Sequence, residues 1–203
     1  METTFIFSIA ILIMSVVVHE VSHGFLAYFL GDPTAKLAGR LTLNPVKHID
    51  PIGSILVPGI LALLPGGLIL GWAKPVPFNP YNLRGGKWGP AIVALAGPFS
   101  NLLIALVFGL ILQFGAGSWL NPATASLVFS IVVINVMLAL FNLTPVAPFD
   151  GSKLLYAILP DRTGKVERFM EANQLWLFVL VILVVGSYLE PATMWLAKIL
   201  AGA

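Results

Sequence analysis

The chain has 203 residues, 58% of them hydrophobic and 10% charged, with a formal net charge of +2 and a mean hydropathy of +0.95. A soluble domain of this size needs a charged surface that this composition cannot supply, so the chain reads as an integral membrane protein. The small net charge argues against a nucleic-acid surface, and the absence of cysteine excludes disulfides, thiolate metal sites and a thiol nucleophile. Any metal must therefore be held by imidazole and carboxylate.

The opening "METTFIFSIA" lacks the basic region of a secretory signal, so the first apolar segment is expected to belong to the mature protein. That segment, residues 4–30, exceeds the roughly 20 helical residues that cross a hydrocarbon core of about 30 Å. It ends at "LGDP", where Gly31 and Pro33 are stop signals. Inside it lies "VVVHEVSHGF". On a helix His19 and His23 stand one turn apart on one face, with Glu20 beside them. An ionisable residue in mid-membrane costs about 2.5–3.5 kcal/mol on insertion scales, which marks a functional site rather than a chance cluster. H-E-x-x-H is the zinc metallopeptidase arrangement: two imidazoles bind the metal and the glutamate handles the proton of a metal-bound water.

Next, "AKLAGRLTL", residues 35–43, alternates in the manner of a strand and suggests a small β-hairpin. It would serve either as a plain cytoplasmic hairpin or as an edge that pairs with an extended substrate. In "NPVKHIDPIG", His48 reads as a loop residue bonding backbone at the mouth of the following segment, or as a gating or substrate-binding group; Asp50 is equally open. Residues 52–72 are apolar but broken by Gly53, Pro58, Gly59, Pro65, Gly66, Gly67 and Gly71, which argues against one straight helix and for a re-entrant segment. Residues 88–114 and 123–145 are spans. In the first, "GPFSN" offers Gly97 and Ser100 for close helix approach and Asn101 for an interhelical hydrogen bond. A fourth span is expected at 172–189, and the tail after Pro191 either lies on the membrane surface or extends that helix. The whole chain, 1–203, reads as one membrane-embedded domain.

Charge decides the topology. If 52–72 returns to the side it left, Lys36, Arg40, Lys47, Lys74, Arg84, Lys87, Lys153, Arg162, Lys165 and Arg168 share one side, and the loop at 115–122 on the other side carries no charge. The positive-inside rule then predicts an outside N-terminus and a cytoplasmic basic side. Catalytic zinc usually has three protein ligands and one open position. The metzincin third histidine is absent, since position 29 is Phe29, and Glu167 and Glu171 lie in a charge-mixed, solvated stretch. Asp150 closes "FNLTPVAPFDG" on the same side as His19 and His23. Taken alone it is as well explained by an Asp-Gly turn; together with H-E-x-x-H it is the third ligand.

"HEVSH", "GPFSN" and "NLTPVAPFDG" together resemble the site-2 protease family of intramembrane zinc metalloproteases (peptidase family M50). "AGRLTLNPVKHIDPIG" and "GWAKPVPFNPYNLR" resemble its compact prokaryotic branch. The resemblance covers most of 1–159 and implies an all-α polytopic bundle carrying one Zn2+ per chain on His19, His23 and Asp150. It implies Glu20 as the catalytic glutamate and Asn142 as a group that holds the substrate carbonyl or developing oxyanion. No PDZ-type insert is found. The expected function is hydrolysis of peptide bonds within or near transmembrane segments of membrane proteins, by a multi-pass enzyme of the plasma membrane with its site nearer the cytoplasm. The rival readings are a non-catalytic membrane binding protein of the same fold and an ion or proton pathway using the same polar groups.

Overall fold

The computed structural model describes residues 2–56, 72–115, 119–160 and 164–202, and among these it is helical without strands. The helices are α1 (Glu2–Phe29), α2 (Thr34–Leu37), α3 (Trp88–Gly115), α4 (Pro122–Asn142), α5 (Gly151–Ile158), α6 (Lys165–Ala172), α7 (Gln174–Val184) and α8 (Gly186–Ala201). Three are long and apolar enough to cross a membrane, over Ile6–Phe29, Trp88–Gly115 and Pro122–Asn142. The chain is a multi-pass membrane protein.

The central helix is α3. Its buried residues Gly97, Asn101, Ala105, Gly109 and Leu112 recur at helical spacing, while Phe99, Leu103, Val107, Leu110 and Phe114 form an exposed apolar face. In water such a face would drive aggregation; in a bilayer it is the lipid contact. α4 starts on an Asn121 cap, whose side chain accepts the Thr124 N–H at 2.9 Å, with Pro122 at the first helical position. Val132 and Val136 then pack with Ala105, Leu112 and Ala197 into one core.

Where a fourth span is expected, at 172–189, two helices, α7 and α8, meet at a 60° bend, a broken span or a re-entrant loop. The break falls at Val185, directly before the Gly186-Ser187 pair that opens α8, a pair that interrupts helices. The tail extends α8 into the core: Ala197 is fully buried, and the Leu200 carbonyl sits so close to Gly109 that a Cβ there would lie 2.5 Å away.

The segment 35–43 is not a hairpin. Asp32 Oδ1 accepts the Thr34 hydroxyl at 2.6 Å and its N–H at 3.3 Å, starting the helical turn α2. Gly39, at φ 63°, ends that turn in the left-handed region. Capping at one end and a glycine stop at the other outweigh the alternating pattern, which has no neighbouring strand to pair with among the described residues.

Most of 52–72 lies outside the described residues, but its ends meet. The Trp72 N–H donates to the Gly53 carbonyl at 3.0 Å, and the Ser54 hydroxyl to the Trp72 carbonyl at 2.8 Å. Farther out, the Arg84 N–H reaches the Leu30 carbonyl at 2.9 Å, and Asp32 Oδ2 accepts the Asn79 N–H at 2.7 Å. The C-terminal end of α1 and the approach to α3 are thus at one end of the bundle.

Candidate metal centre and catalytic cleft

α1 turns His19 and His23 toward α3, their rings 4.6 Å apart between centroids and nearly perpendicular at 88°. Both are buried. The rings fit because position 97 is glycine: a Cβ there would stand 2.5 Å from Nε2 of each imidazole. Each Nδ1 is engaged from behind, that of His23 by the Val93 carbonyl at 2.7 Å and that of His19 by Asn101 Oδ1 at 2.6 Å. A carbonyl oxygen only accepts, so each Nδ1 carries the proton and each Nε2 keeps a lone pair.

Those lone pairs face Asp150. Its Oδ2 lies 3.1 Å from His19 Nε2 and 3.3 Å from His23 Nε2. The chain reaches this point by folding back after α4. The Phe149 N–H bonds the Val146 carbonyl at 3.0 Å, and the Phe149 ring packs on Phe141 at 4.5 Å. Gly151 rests against the Leu143 and Thr144 carbonyls, where a side chain would collide with backbone. Asp150 stands before α5 in the capping position yet makes no side-chain cap bond, which leaves its carboxylate to the imidazoles.

Two imidazole lone pairs and a carboxylate within 4.8 Å of one another repel unless a cation lies between them. Ligand atoms about 2.1 Å from a tetrahedral ion stand about 3.4 Å apart, close to the separations here, so the donor set fits zinc. Among the described residues these three form the one such cluster.

The cluster opens into a cavity of about 230 Å3, also lined by Glu20, Asn142 and Lys153. Glu20 Oε2 accepts the N–H of Val76 at 2.8 Å. Val76 belongs to a strap, Trp72 to Phe78, that crosses the cavity and is held by Arg40 Nη2 on the Lys74 carbonyl at 2.7 Å and by the Lys74 N–H on the His48 carbonyl at 2.9 Å. The Asn142 amide donates to the Leu138 carbonyl at 2.9 Å. Lys153 pairs with Glu171 at 2.8 Å and Glu167 at 3.6 Å, outside the histidine cluster. Burial lowers the Lys153 pKa, but the hydrogen bond and charge of Glu171 reverse this and raise it.

His48 and Asp50 are not brought to the cavity. His48 is buried on the turn Pro45–His48, and its Nε2 bonds the Thr42 carbonyl at 2.8 Å. Asp50 Oδ1 accepts the N–H groups of Ile52 and Gly53, capping the turn Pro51–Leu56. Asn101 does more than the helix-packing role its sequence context suggests: it holds His19. Its partners Asn135 and Ser15, also buried, carry no sequence motif.

Against known proteins, residues 112–186 match the pattern of peptidase family M50. YwhC of Bacillus subtilis, assigned by name to the zinc metalloproteases, is 38% identical over 186 residues, which cover 87% of this chain and 80% of YwhC. The chain belongs to peptidase family M50. Rip2 of Mycolicibacterium smegmatis carries the same assignment in its name and is 32% identical over 88% of this chain and 66% of its own length. MJ0392 of Methanocaldococcus jannaschii, named a zinc metalloprotease, is 26% identical over 76% of this M50 member and 34% of its own length. No solved structure matches the chain.

Proposed function

We infer that this M50 member is an intramembrane zinc endopeptidase that cuts peptide bonds within or near transmembrane segments. The observation that carries the reading is the convergence of His19 Nε2, His23 Nε2 and Asp150 Oδ2 in a buried cavity that also holds Glu20. These three residues would hold one Zn2+. When bound, zinc lowers the pKa of its water toward about 7 and polarises the scissile carbonyl.

Glu20 takes the water's proton and delivers it to the leaving amine. The Val76 N–H takes one acceptor site on Oε2, and a carboxylate accepts at both oxygens, so the strap holds Glu20 in place while it moves the proton. Asn142 lines the same cavity, and an amide N–H not spent on the Leu138 carbonyl is the donor for the carbonyl oxygen as charge develops on it. The buried Nδ1 partners keep both imidazoles aimed while the cavity exchanges water and peptide.

The adjoining ends of 52–72, and of Leu30 and Arg84, support a re-entrant 52–72 with no net crossing between α1 and α3. Charge then supports an outside N-terminus and a cytoplasmic cavity mouth in the plasma membrane. Transmembrane protein segments are the substrates, and residues 1–203 act as a single domain. His48 and Asp50 act indirectly, as anchors of the strap and of the re-entrant segment's entry.

The test combines metal analysis with cleavage of a model transmembrane substrate. The native chain should hold one zinc and cut. Glu20→Gln should keep zinc and not cut; Asp150→Ala should lose both. Full cleavage by Glu20→Gln would sink the mechanism. A native chain that binds no zinc and moves protons across vesicles would favour the ion-pathway reading.

A further inference from the structure

Behind His19 lies a buried polar chain joining three helices. Asn101 Oδ1 accepts the His19 Nδ1 proton at 2.6 Å, and Asn101 Nδ2 donates to Asn135 Oδ1 at 2.9 Å. Asn135 Nδ2 in turn donates to the Ile131 carbonyl at 2.9 Å and meets the Ser15 hydroxyl at 3.0 Å. Both asparagines are fully buried.

The chain has a direction, and its far end sets that direction. The Ile131 carbonyl can only accept, so the Asn135 atom facing it must be the NH2 group. Asn135 therefore presents its oxygen to Asn101, which must answer with its own NH2; the Ser15 carbonyl, 3.4 Å from that nitrogen, acts in the same sense. The one Asn101 atom left for His19 is the oxygen. An oxygen there requires a proton on Nδ1, which leaves the Nε2 lone pair facing Asp150.

We propose that Asn101 and Asn135 are positioning residues that select the Nδ1–H tautomer of His19, with the Ile131 carbonyl as the fixed end of the relay. His23 needs no relay, because its Nδ1 meets a backbone carbonyl directly. The proposal rests on the zinc reading for its affinity arm, while its tautomer arm stands apart from that reading. In hydrocarbon each asparagine is costly to bury, and a helix-packing role alone would be met by any small residue.

The experiment uses the full-length protein in detergent or nanodiscs, with zinc affinity measured by chelator competition and histidine tautomers read from nitrogen-15 spectra of the metal-free form. Native His19 should give one neutral tautomer, protonated at Nδ1. Asn101→Leu should bind zinc about 10- to 100-fold more weakly, the usual loss when such a partner is removed. Asn101→Asp, which keeps an acceptor oxygen toward His19, should restore most of that loss. Asn135→Leu should leave His19 as a mixture of tautomers while His23 is unchanged, a selective effect that general destabilisation would not produce. Should a leucine variant fold poorly, the native tautomer and the Asp variant still decide. The proposal is overturned if native His19 is protonated at Nε2, or if Asn101→Leu binds zinc with native affinity. A native protein that binds no zinc counts against the proposed function, while the tautomer spectra still judge the relay.

Discussion

Adding a single methyl group at Gly97 should empty the metal centre. The new Cβ would lie 2.5 Å from His19 Cε1, His19 Nε2 and His23 Nε2, where ordinary contacts are 3.4–4 Å. Relief therefore needs a movement of about 1 Å by both rings or by α3. The rings cannot swing freely, because their Nδ1 atoms are tied to Asn101 and Val93. Overpacking of this kind costs about 1–3 kcal/mol, and each imidazole bond broken to relieve it about 1 kcal/mol more. For zinc the effect is larger, since its bonds to nitrogen are only about 2.0–2.1 Å long and a shift of half that length abolishes coordination. Gly97→Ala should thus unfold at a lower temperature and bind zinc at least about 100-fold more weakly, beyond the range seen for loss of one supporting partner. The assay is zinc retention after dialysis against graded chelator, with thermal unfolding of the same sample. Gly186→Ala is the control: its Cβ would meet nothing within 4 Å, and alanine favours the helix by up to about 1 kcal/mol. Native zinc affinity in Gly97→Ala would refute the packing argument.

Three other outcomes are expected. Asp32 is fully buried and accepts from Thr34, Asn79 and Asn82; burial alone would raise its pKa, but these bonds outweigh it and lower it. Its stabilising contribution is therefore present above the unfolded carboxylate value of about 4 and is lost as pH falls through the depressed folded value. Asp32→Ala should cost on the order of 3 kcal/mol at neutral pH and flatten the acid limb of the melting-temperature profile; an unchanged acid limb would contradict the assignment. Val76→Pro deletes the N–H that Glu20 accepts and should lower stability by about 1.5–3 kcal/mol, as for bonds to charged groups, with zinc content unchanged because Glu20 is not a ligand. Finally, cysteines introduced singly at Lys36 and Lys87 should react with a membrane-impermeant reagent from the same side of sealed vesicles, since the Arg84–Leu30 bond joins the segments carrying them; labelling from opposite sides would break the topology.

The parts of this molecule legible in its sequence are those where one residue type serves one physical need. Hydropathy over about 20 residues locates α1, α3 and α4, because a bilayer demands length and apolarity of any spanning helix. His19 and His23 are legible because helical spacing alone puts them on one face. Asp150, far along the chain, is nominated by its motif, but its approach depends on the fold-back at Gly151. The misread hairpin fails where two local signals compete: alternation in 35–43 suggests strand, but Asp32 and Gly39 impose a turn. Continuous apolarity near 172–189 carries no sign of the break at Val185. Asn135 and Ser15 were beyond reach, since a polar residue in an apolar helix announces a partner without saying which.

The register of α1 against α3 ties these features together. Ser15, His19 and His23 recur every four residues on α1, and Val93, Gly97 and Asn101 every four on α3. His23 meets Val93, both imidazoles meet Gly97, His19 meets Asn101, and Asn101 reaches back to Ser15. Rising numbers on one helix meet falling numbers on the other, so the two are antiparallel and in contact along about two turns, some 12 Å. Within that length α3 supplies one acceptor for each imidazole and, between them, the absence of a side chain that lets both rings enter. α4 adds Asn135 at the same level, and seven residues on, about 10 Å farther along the axis, Asn142 at the cavity. The polar atoms are thus graded by depth: buried groups fix the imidazoles from behind, while Glu20 and Asn142, the groups proposed to handle protons and peptide, line the cavity. A site with that grading loses aim when its dry side is changed and loses chemistry when its wet side is, which is why Asn101 and Glu20 variants should separate zinc affinity from cleavage.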